Sequence, residues 1–212
     1  MPHSSPPARP KRLVVATGNP GKLREFRRLL AELPFQIVGQ AELGATAAEE
    51  TGKSFLENAL IKAHHAAEAT GEAAIADDSG LEVDALGGAP GIFSARYAGA
   101  GASDAANIDR LLRELAGVPG DERTARYRCV LAFVPAPPDS RPLIAEGVWE
   151  GRILEAPRGR GGFGYDPVFW LPDCGATAAE IEVADKNRRS HRGRAMARLA
   201  AQLAAARFAT RA

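Results

Sequence analysis

The sequence predicts an α/β fold: a mixed central sheet flanked by helices, arranged as two lobes around an active-site cleft. Three observations predict it. Short apolar runs, Leu13-Val14-Val15-Ala16 and residues 35–38, are separated by a helically spaced apolar stripe, which is the pattern of a parallel βαβ unit. Residues 125–134 and 143–149 flank the turn Pro135-Ala136-Pro137-Pro138 and read as an antiparallel pair, so the sheet is mixed. Finally, Ala73-Ala74-Ile75-Ala76 runs into Asp77-Asp78-Ser79-Gly80, which reads as a buried strand closed by a Ser-Gly turn. Ligands of open α/β sheets sit outside the carboxyl ends of strands, so this edge delivers two acids to a cleft. Such acids can hold a hard cation or act as a general base. A solvated Asp-Asp turn is the plainer alternative.

At 212 residues the chain can bury one substantial core, and 45% apolar with 25% charged residues is ordinary for a globular protein. A net charge of +1 argues against a dedicated nucleic-acid binder. Cys129 and Cys174 are far apart and have no nearby histidine, which excludes a zinc framework and argues against a disulfide scaffold. Apolar runs are too short to span a bilayer. Residues 1–11 read as a disordered extension without a signal-peptide core, and 12–212 as one domain in the cytoplasm. Basic residues are mostly arginine, and Lys11, Lys22, Lys53, Lys62 and Lys186 are the lysines.

In chain order, the first strand enters Thr17-Gly18-Asn19-Pro20-Gly21-Lys22, then a helix striped by Leu23, Phe26, Leu29, Leu30 and Leu33. Strand, glycine turn and helix start together aim backbone N–H groups and a helix dipole at an anion. It is not a P-loop: the glycine spacing is too short, and Leu23 stands where Ser or Thr would hold magnesium. After the second strand comes Glu49-Glu50-Thr51-Gly52. Ser54 and Glu57 then form a capping box that opens a helix to about Ala69, with Phe55, Leu56, Ala59, Leu60 and Ala63 as its apolar face. Asn58 and Lys62 share a face at i,i+4. Leu86-Gly87-Gly88-Ala89-Pro90-Gly91 shapes a tight loop, and residues 104–115 form a helix on Ile108, Leu111, Leu112 and Leu115.

Residues 158–167 interleave four glycines with Phe163, Tyr165 and Asp166. Glycines admit close backbone approach and an aromatic can stack on a base, with a flexible hairpin loop as the alternative. Thr177 and Glu180 suggest another capping box, and Ser190 caps a last helix on Met196, Leu199, Leu203 and Ala206. Lys186, Arg188, Arg189, His191, Arg192 and Arg194 crowd its start, where cations oppose the macrodipole. A bound anion or solvent screening would relieve them.

Taken together, these segments resemble the inosine triphosphatase family, the non-canonical purine NTP pyrophosphatases (dITP/XTP pyrophosphatases), and within it the bacterial branch. The resemblance rests on Ala16 to Lys22, Glu49-Glu50-Thr51-Gly52 with Phe55 and Glu57-Asn58-Ala59, and Ala76-Asp77-Asp78-Ser79-Gly80-Leu81. It continues through Gly87-Gly88-Ala89-Pro90-Gly91, Gly162-Phe163-Gly164-Tyr165-Asp166-Pro167 and Ser190-His191-Arg192, in the family's order. Asp185 replaces an expected Glu, and Arg189 replaces a smaller residue.

The resemblance implies cleavage of nucleoside triphosphates between the α- and β-phosphates, on ITP, dITP and XTP, with Mg2+ and as a homodimer. It places the triphosphate on Thr17, Gly18, Asn19, Pro20, Gly21 and Lys22, with Lys62 and Lys186 as further phosphate or ribose contacts and Ser79 beside them. It makes Asp78 the proton acceptor and a metal ligand with Glu50, Glu49 being the rival. Phe163, Gly164, Tyr165, Asp166, His191 and Arg192 would form the base pocket, with donors from His191 or Arg192 meeting the 6-oxo group. Because adjacent strand residues face opposite ways, Asp77 is expected to be structural or in the outer shell of the metal, while Asp78 meets the water and the metal. The alternatives are a similar pyrophosphatase of different base preference and a non-catalytic nucleotide-sensing or RNA-associated module.

Overall fold

The computed structural model describes residues 11–31, 34–136 and 141–209. The expected disordered extension (Lys11 excepted), Leu33 and the prolines at 137 and 138 lie outside the described residues, as does the side chain of Ala206. Lys11 already belongs to the fold, since its carbonyl accepts the Gln36 N–H at 2.9 Å.

Seven strands form one sheet in the order β2-β1-β3-β4-β5-β6-β7. They are β1 (Arg12–Val15), β2 (Gln36–Gly39), β3 (Ala73–Val83), β4 (Thr124–Val134), β5 (Leu143–Ile153), β6 (Phe169–Leu171) and β7 (Ala176–Thr177). The first three run parallel, and β3 to β7 pair antiparallel, so the predicted mixed sheet is what forms. Among the described residues, five α-helices accompany it: α1 (Pro20–Leu29), α2 (Phe55–Thr70), α3 (Asp104–Glu114), α4 (Val183–Arg189) and α5 (His191–Ala209). None of the described helices is long and apolar enough to cross a membrane.

The period-two alternation of β3 decides the layers. Ala74 and Ala76 pack with Ala59, Ala63 and Ala66 of α2 on one face, and small residues let that helix lie close. Ala73 and Ile75 face the other way, among Phe26 of α1 and Met196 and Leu199 of α5. Leu81 and Val83 continue that second face into a separate core with Tyr127, Trp149 and Phe169, beside α3. The two lobes are these two ends of one sheet.

Two sequence expectations fail. Asp77-Asp78-Ser79-Gly80 is no turn: β3 continues through it, pairing Asp77 with Leu131, Asp78 with Val130, Ser79 with Cys129 and Gly80 with Arg128. The β4 ladder supplies backbone partners that a local reading does not see. Gly80 serves close approach instead, since a Cβ there would meet Ser94 Oγ at 2.5 Å. Thr177 and Glu180 start no helix; Glu180 accepts the Thr177 N–H at 2.8 Å inside a turn. The unpredicted α4 also reassigns the basic run, because Lys186, Arg188 and Arg189 occupy its last turn, where cations favour the dipole.

Helix α5 lies on β5 at Gly147. A Cβ there would overlap the His191 carbonyl oxygen and stand 2.7 Å from Ala195 N, both backbone atoms. Gly147→Ala is therefore expected to cost at least about 1–3 kcal/mol. Thermal denaturation checks this, and a melting temperature equal to that of the wild type would refute it.

Candidate active site

Strand β1 leaves the sheet at Val15, level with Ile75 of β3, while β3 carries on. The acids two and three residues further along β3 therefore border the gap that β1 vacates. The segment 17–22 and the start of α1 fill part of that gap, and what remains is the cleft. It is lined by Lys22, Tyr127, Phe163, Lys186, His191 and Arg192, among others. A second compartment, lined by Thr17, Gly18, Gln40, Glu50 and Lys62, shares Asn19, Lys22 and Ala95 with the first.

Asp77 and Asp78 do face opposite ways. Asp77 is 2% exposed, and its Oδ2 receives Lys22 Nζ at 2.9 Å, Ser79 Oγ at 2.9 Å and Arg192 Nη2 at 3.2 Å. Burial alone would raise this carboxyl, but the Lys22 and Arg192 charges outweigh it and hold Asp77 well below the usual range. Asp77 is thus a permanent anion tying the starts of α1 and α5 to the sheet.

Asp78 points toward α2. Its Oδ1 receives Lys62 Nζ at 2.9 Å and its Oδ2 receives Asn58 Nδ2 at 3.2 Å. Burial raises its carboxyl, and Lys62 only partly offsets that, so Asp78 is the more basic acid of the pair. Lys62 Nζ also donates to Glu50 Oε1 at 2.7 Å, and Arg96 Nη1 to Glu50 Oε2 at 3.2 Å. For Glu50 burial again opposes ionisation, and Lys62 and Arg96 reverse it to leave the carboxyl lowered. The Lys62 ammonium is held charged, because Asp78, Asp77 and Glu50 overcome the cost of its burial. Glu49 is exposed beside it, so of the two rival acids Glu50 is the one at the cleft.

The Thr17–Lys22 turn differs from an open nest of donors. Asn19 caps α1, its Oδ1 accepting the N–H groups of Gly21 at 2.8 Å and Lys22 at 3.1 Å, and Thr17 Oγ1 accepts that of Asn19 at 3.1 Å. Pro20 has no N–H. In this form the turn offers the Lys22 charge more than free backbone donors.

At the other end of the cleft, Asp166 is buried against Lys186, accepts the Phe163 N–H at 2.8 Å and lies 3.4 Å from Tyr127 Oη. Lys186 thus lies at the aromatic end of the cleft, with its Nζ 5.1 Å from the Phe163 ring centre. Gly164 N–H donates to Asp104 Oδ2 at 2.6 Å, and Tyr165 Oη donates to the Ser94 carbonyl at 2.8 Å, so both tie the glycine-rich segment to the start of α3 and the chain before it. His191 stacks on Tyr127 with ring centres 4.7 Å apart and 14° between planes. Burial, then Arg192 and Lys186, push its imidazole well below the usual range, so it is neutral at pH 7. Its Nδ1 is buried without a partner. Arg192 is largely committed: Nη1 pairs with Glu25, and Nη2 donates to Asp77 and Ser79. Only its Nε is buried and unpartnered.

Sequence reasoning missed Glu25, Arg96, Tyr127 and the role of Asn58. Alternation along β4 puts Tyr127 on one face, and the i,i+4 relation puts Asn58 beside Lys62, so both left a trace. Glu25 and Arg96 left none.

Comparison with known proteins follows the same segments. The Ham1 family model matches residues 13–202. A dITP/XTP pyrophosphatase of Methylococcus capsulatus is 60% identical over 92% of this chain and 97% of its own length. One from Xanthomonas campestris is 57% identical over 89% of this chain and 95% of its own. Among solved structures, a HAM1 protein from Coxiella burnetii superposes with a TM-score of 0.84 at 46% identity, covering 92% of this chain and 98% of that one. The Staphylococcus aureus Ham1 protein gives 0.82 at 40%, covering 92% and 99%.

Breaking a buried ion pair from one side typically costs about 3–5 kcal/mol, and Asp77→Asn does so for two cations at once. A depressed carboxyl stabilises fully above its unfolded value, here 3.8, and loses that effect as pH falls toward the folded value. The gap in melting temperature between wild type and Asp77→Asn should therefore hold from pH 7 to 5 and narrow only below the unfolded value. A gap that closes already between pH 7 and 5 would contradict this.

Proposed function

The chain belongs to the Ham1 family, and on that premise we propose that it hydrolyses non-canonical purine nucleoside triphosphates, ITP, dITP and XTP, to the monophosphate and pyrophosphate. One observation carries the reading. A charged compartment lined by Lys22, Lys62 and Glu50, with Asp78 held behind it by Lys62, opens through Asn19 and Lys22 into an aromatic-walled compartment lined by His191 and Arg192, whose buried Nδ1 and Nε lack partners. Orphaned polar atoms there await a polar ligand, because a buried group without a partner is costly.

Phosphoryl transfer needs positioning and charge neutralisation more than covalent help. The triphosphate would lie along Lys22 and Lys62, and Ser79 Oγ beside Asp77 would meet the sugar or phosphate end. Water adds across the anhydride between the α- and β-phosphates, and one of its protons passes to Asp78, the acid kept basic by burial.

Glu50 and Asp78 suit Mg2+, since both turn a carboxylate oxygen to the same ammonium, which marks a point where one small cation satisfies both. Two protein carboxylates with water and phosphate oxygens are the usual magnesium set. When bound there, Mg2+ would neutralise phosphate charge and assist the ionisation of water. Lys62 must then release at least one of its acids and turn to the phosphates.

In the base compartment, the neutral His191 can offer an N–H to the 6-oxo group of hypoxanthine or xanthine. An adenine amino group would leave two donors facing each other. Phe163 supplies the stacking surface, and Tyr127 backs His191 from behind. The working unit is taken to be a homodimer in the cytoplasm, the first of which sedimentation equilibrium checks.

Two outcomes follow. With Mg2+, the protein should release pyrophosphate and not orthophosphate from dITP, ITP and XTP, at least about tenfold faster than from ATP, the penalty of one unmatched donor. EDTA should abolish this, and equal use of ATP or release of orthophosphate would overturn the assignment. Asp78→Asn should lower kcat by about 10²–10⁴, the usual contribution of a general base, while dITP still binds in equilibrium dialysis.

A further inference from the structure

Asn58 is completely buried in the first turn of α2 and spends both ends of its amide. Its Oδ1 accepts the Gly52 N–H at 2.9 Å, and its Nδ2 donates to Asp78 Oδ2 at 3.2 Å. The amide cannot be turned round: a backbone N–H only donates and a carboxylate only accepts. Gly52 is packed onto this group, since a Cβ there would stand 2.6 Å from Asn58 Oδ1 and 2.9 Å from Asn58 N. Gly52 closes the segment that carries Glu50.

One turn further along the same helix face, Lys62 repeats the pattern with charge, joining Glu50 Oε1 and Asp78 Oδ1. Asn58 and Lys62 therefore take one oxygen of Asp78 each, and each also holds the 50–52 segment. They differ in what a ligand can do to them. Lys62 faces the phosphate compartment and can let go, whereas Asn58 has no exposure and lines neither compartment. If filling the Gly52 N–H were all that was needed, any acceptor would serve. The donor half of the amide is spent on the acid that meets the water.

We propose that Asn58 is a positioning residue for hydrolysis: it fixes the rotation of the Asp78 carboxylate and the placement of the Glu50 segment against it. This keeps the two acids in register while Lys62 exchanges them for phosphate. The role rests on the reaction assigned above. It does not touch the base compartment or Lys22, so nucleotide affinity is largely independent of it.

Two variants separate the halves. Asn58→Asp keeps an acceptor for Gly52 but loses the donor to Asp78. Asn58→Leu keeps the shape, carries no charge and loses both. Steady-state kinetics on dITP should show kcat reduced about 10–100-fold in each, the scale of a misplaced reacting group, with KM within about threefold of wild type. NMR-detected exchange of the Gly52 amide should stay slow in Asn58→Asp and quicken at least tenfold in Asn58→Leu, by analogy with a tenfold loss per broken bond of about 1.4 kcal/mol. A crystal structure of Asn58→Leu should show the Asp78 carboxylate rotated. Wild-type kcat in either folded variant, or a loss confined to KM, overturns the proposal. So does a folded Asn58→Leu with Asp78 unmoved and Gly52 still protected. If Asn58→Leu does not fold, the kinetics of Asn58→Asp decide. Exchange and crystallography need no turnover, so a wild type that fails to release pyrophosphate from dITP would sink the assigned reaction without touching these two readings.

Discussion

The ion pair of Asp77 and Arg192 is the interaction on which the rest depends. Both groups are almost fully buried, and Lys22, Glu25 and Ser79 supply most of the further partners that make the pair tolerable. The five residues arrive on three elements: Asp77 and Ser79 on β3, Lys22 and Glu25 on α1, Arg192 on α5. Once these charges are matched, the starts of two helices are pinned to one point of the sheet. Lys22 is thereby aimed at the compartment of Glu50 and Lys62, and His191 at the aromatic one.

The sheet then separates labour by its two faces. One face carries the permanent anion Asp77, whose proton affinity is suppressed and whose task is architecture. The other carries Asp78, whose proton affinity burial enhances, in contact with a lysine that can leave. Adjacent positions on one strand thus hold an acid that never accepts a proton and one suited to accepting it. No great distance is needed for this, only the alternation of an extended backbone.

Much of this was legible in the sequence. Parallel and antiparallel segments, the cap at Ser54, and the meeting of Lys22, Phe163 and His191 at one cleft followed from local patterns and the family resemblance. What was not legible was non-local. Asp77-Asp78-Ser79-Gly80 reads as a turn until β4 is laid beside it, because the partners that keep it extended lie some fifty residues away. The pairing of Lys186 with Asp166 has no local signal. Arg192 reads as a free donor until Glu25 and Asp77 take its terminal nitrogens. Each case turns on a backbone or side-chain partner that comes from another element, and no periodicity encodes such a choice.

The Arg192–Glu25 contact joins residues 167 positions apart. Loop-closure entropy makes so distant a contact late to form. The cleft therefore lacks one wall until α5 docks. The same helix brings Ala195, Met196 and Leu199 to the core beside β3 and β5, so closing the pocket and completing that core are one event.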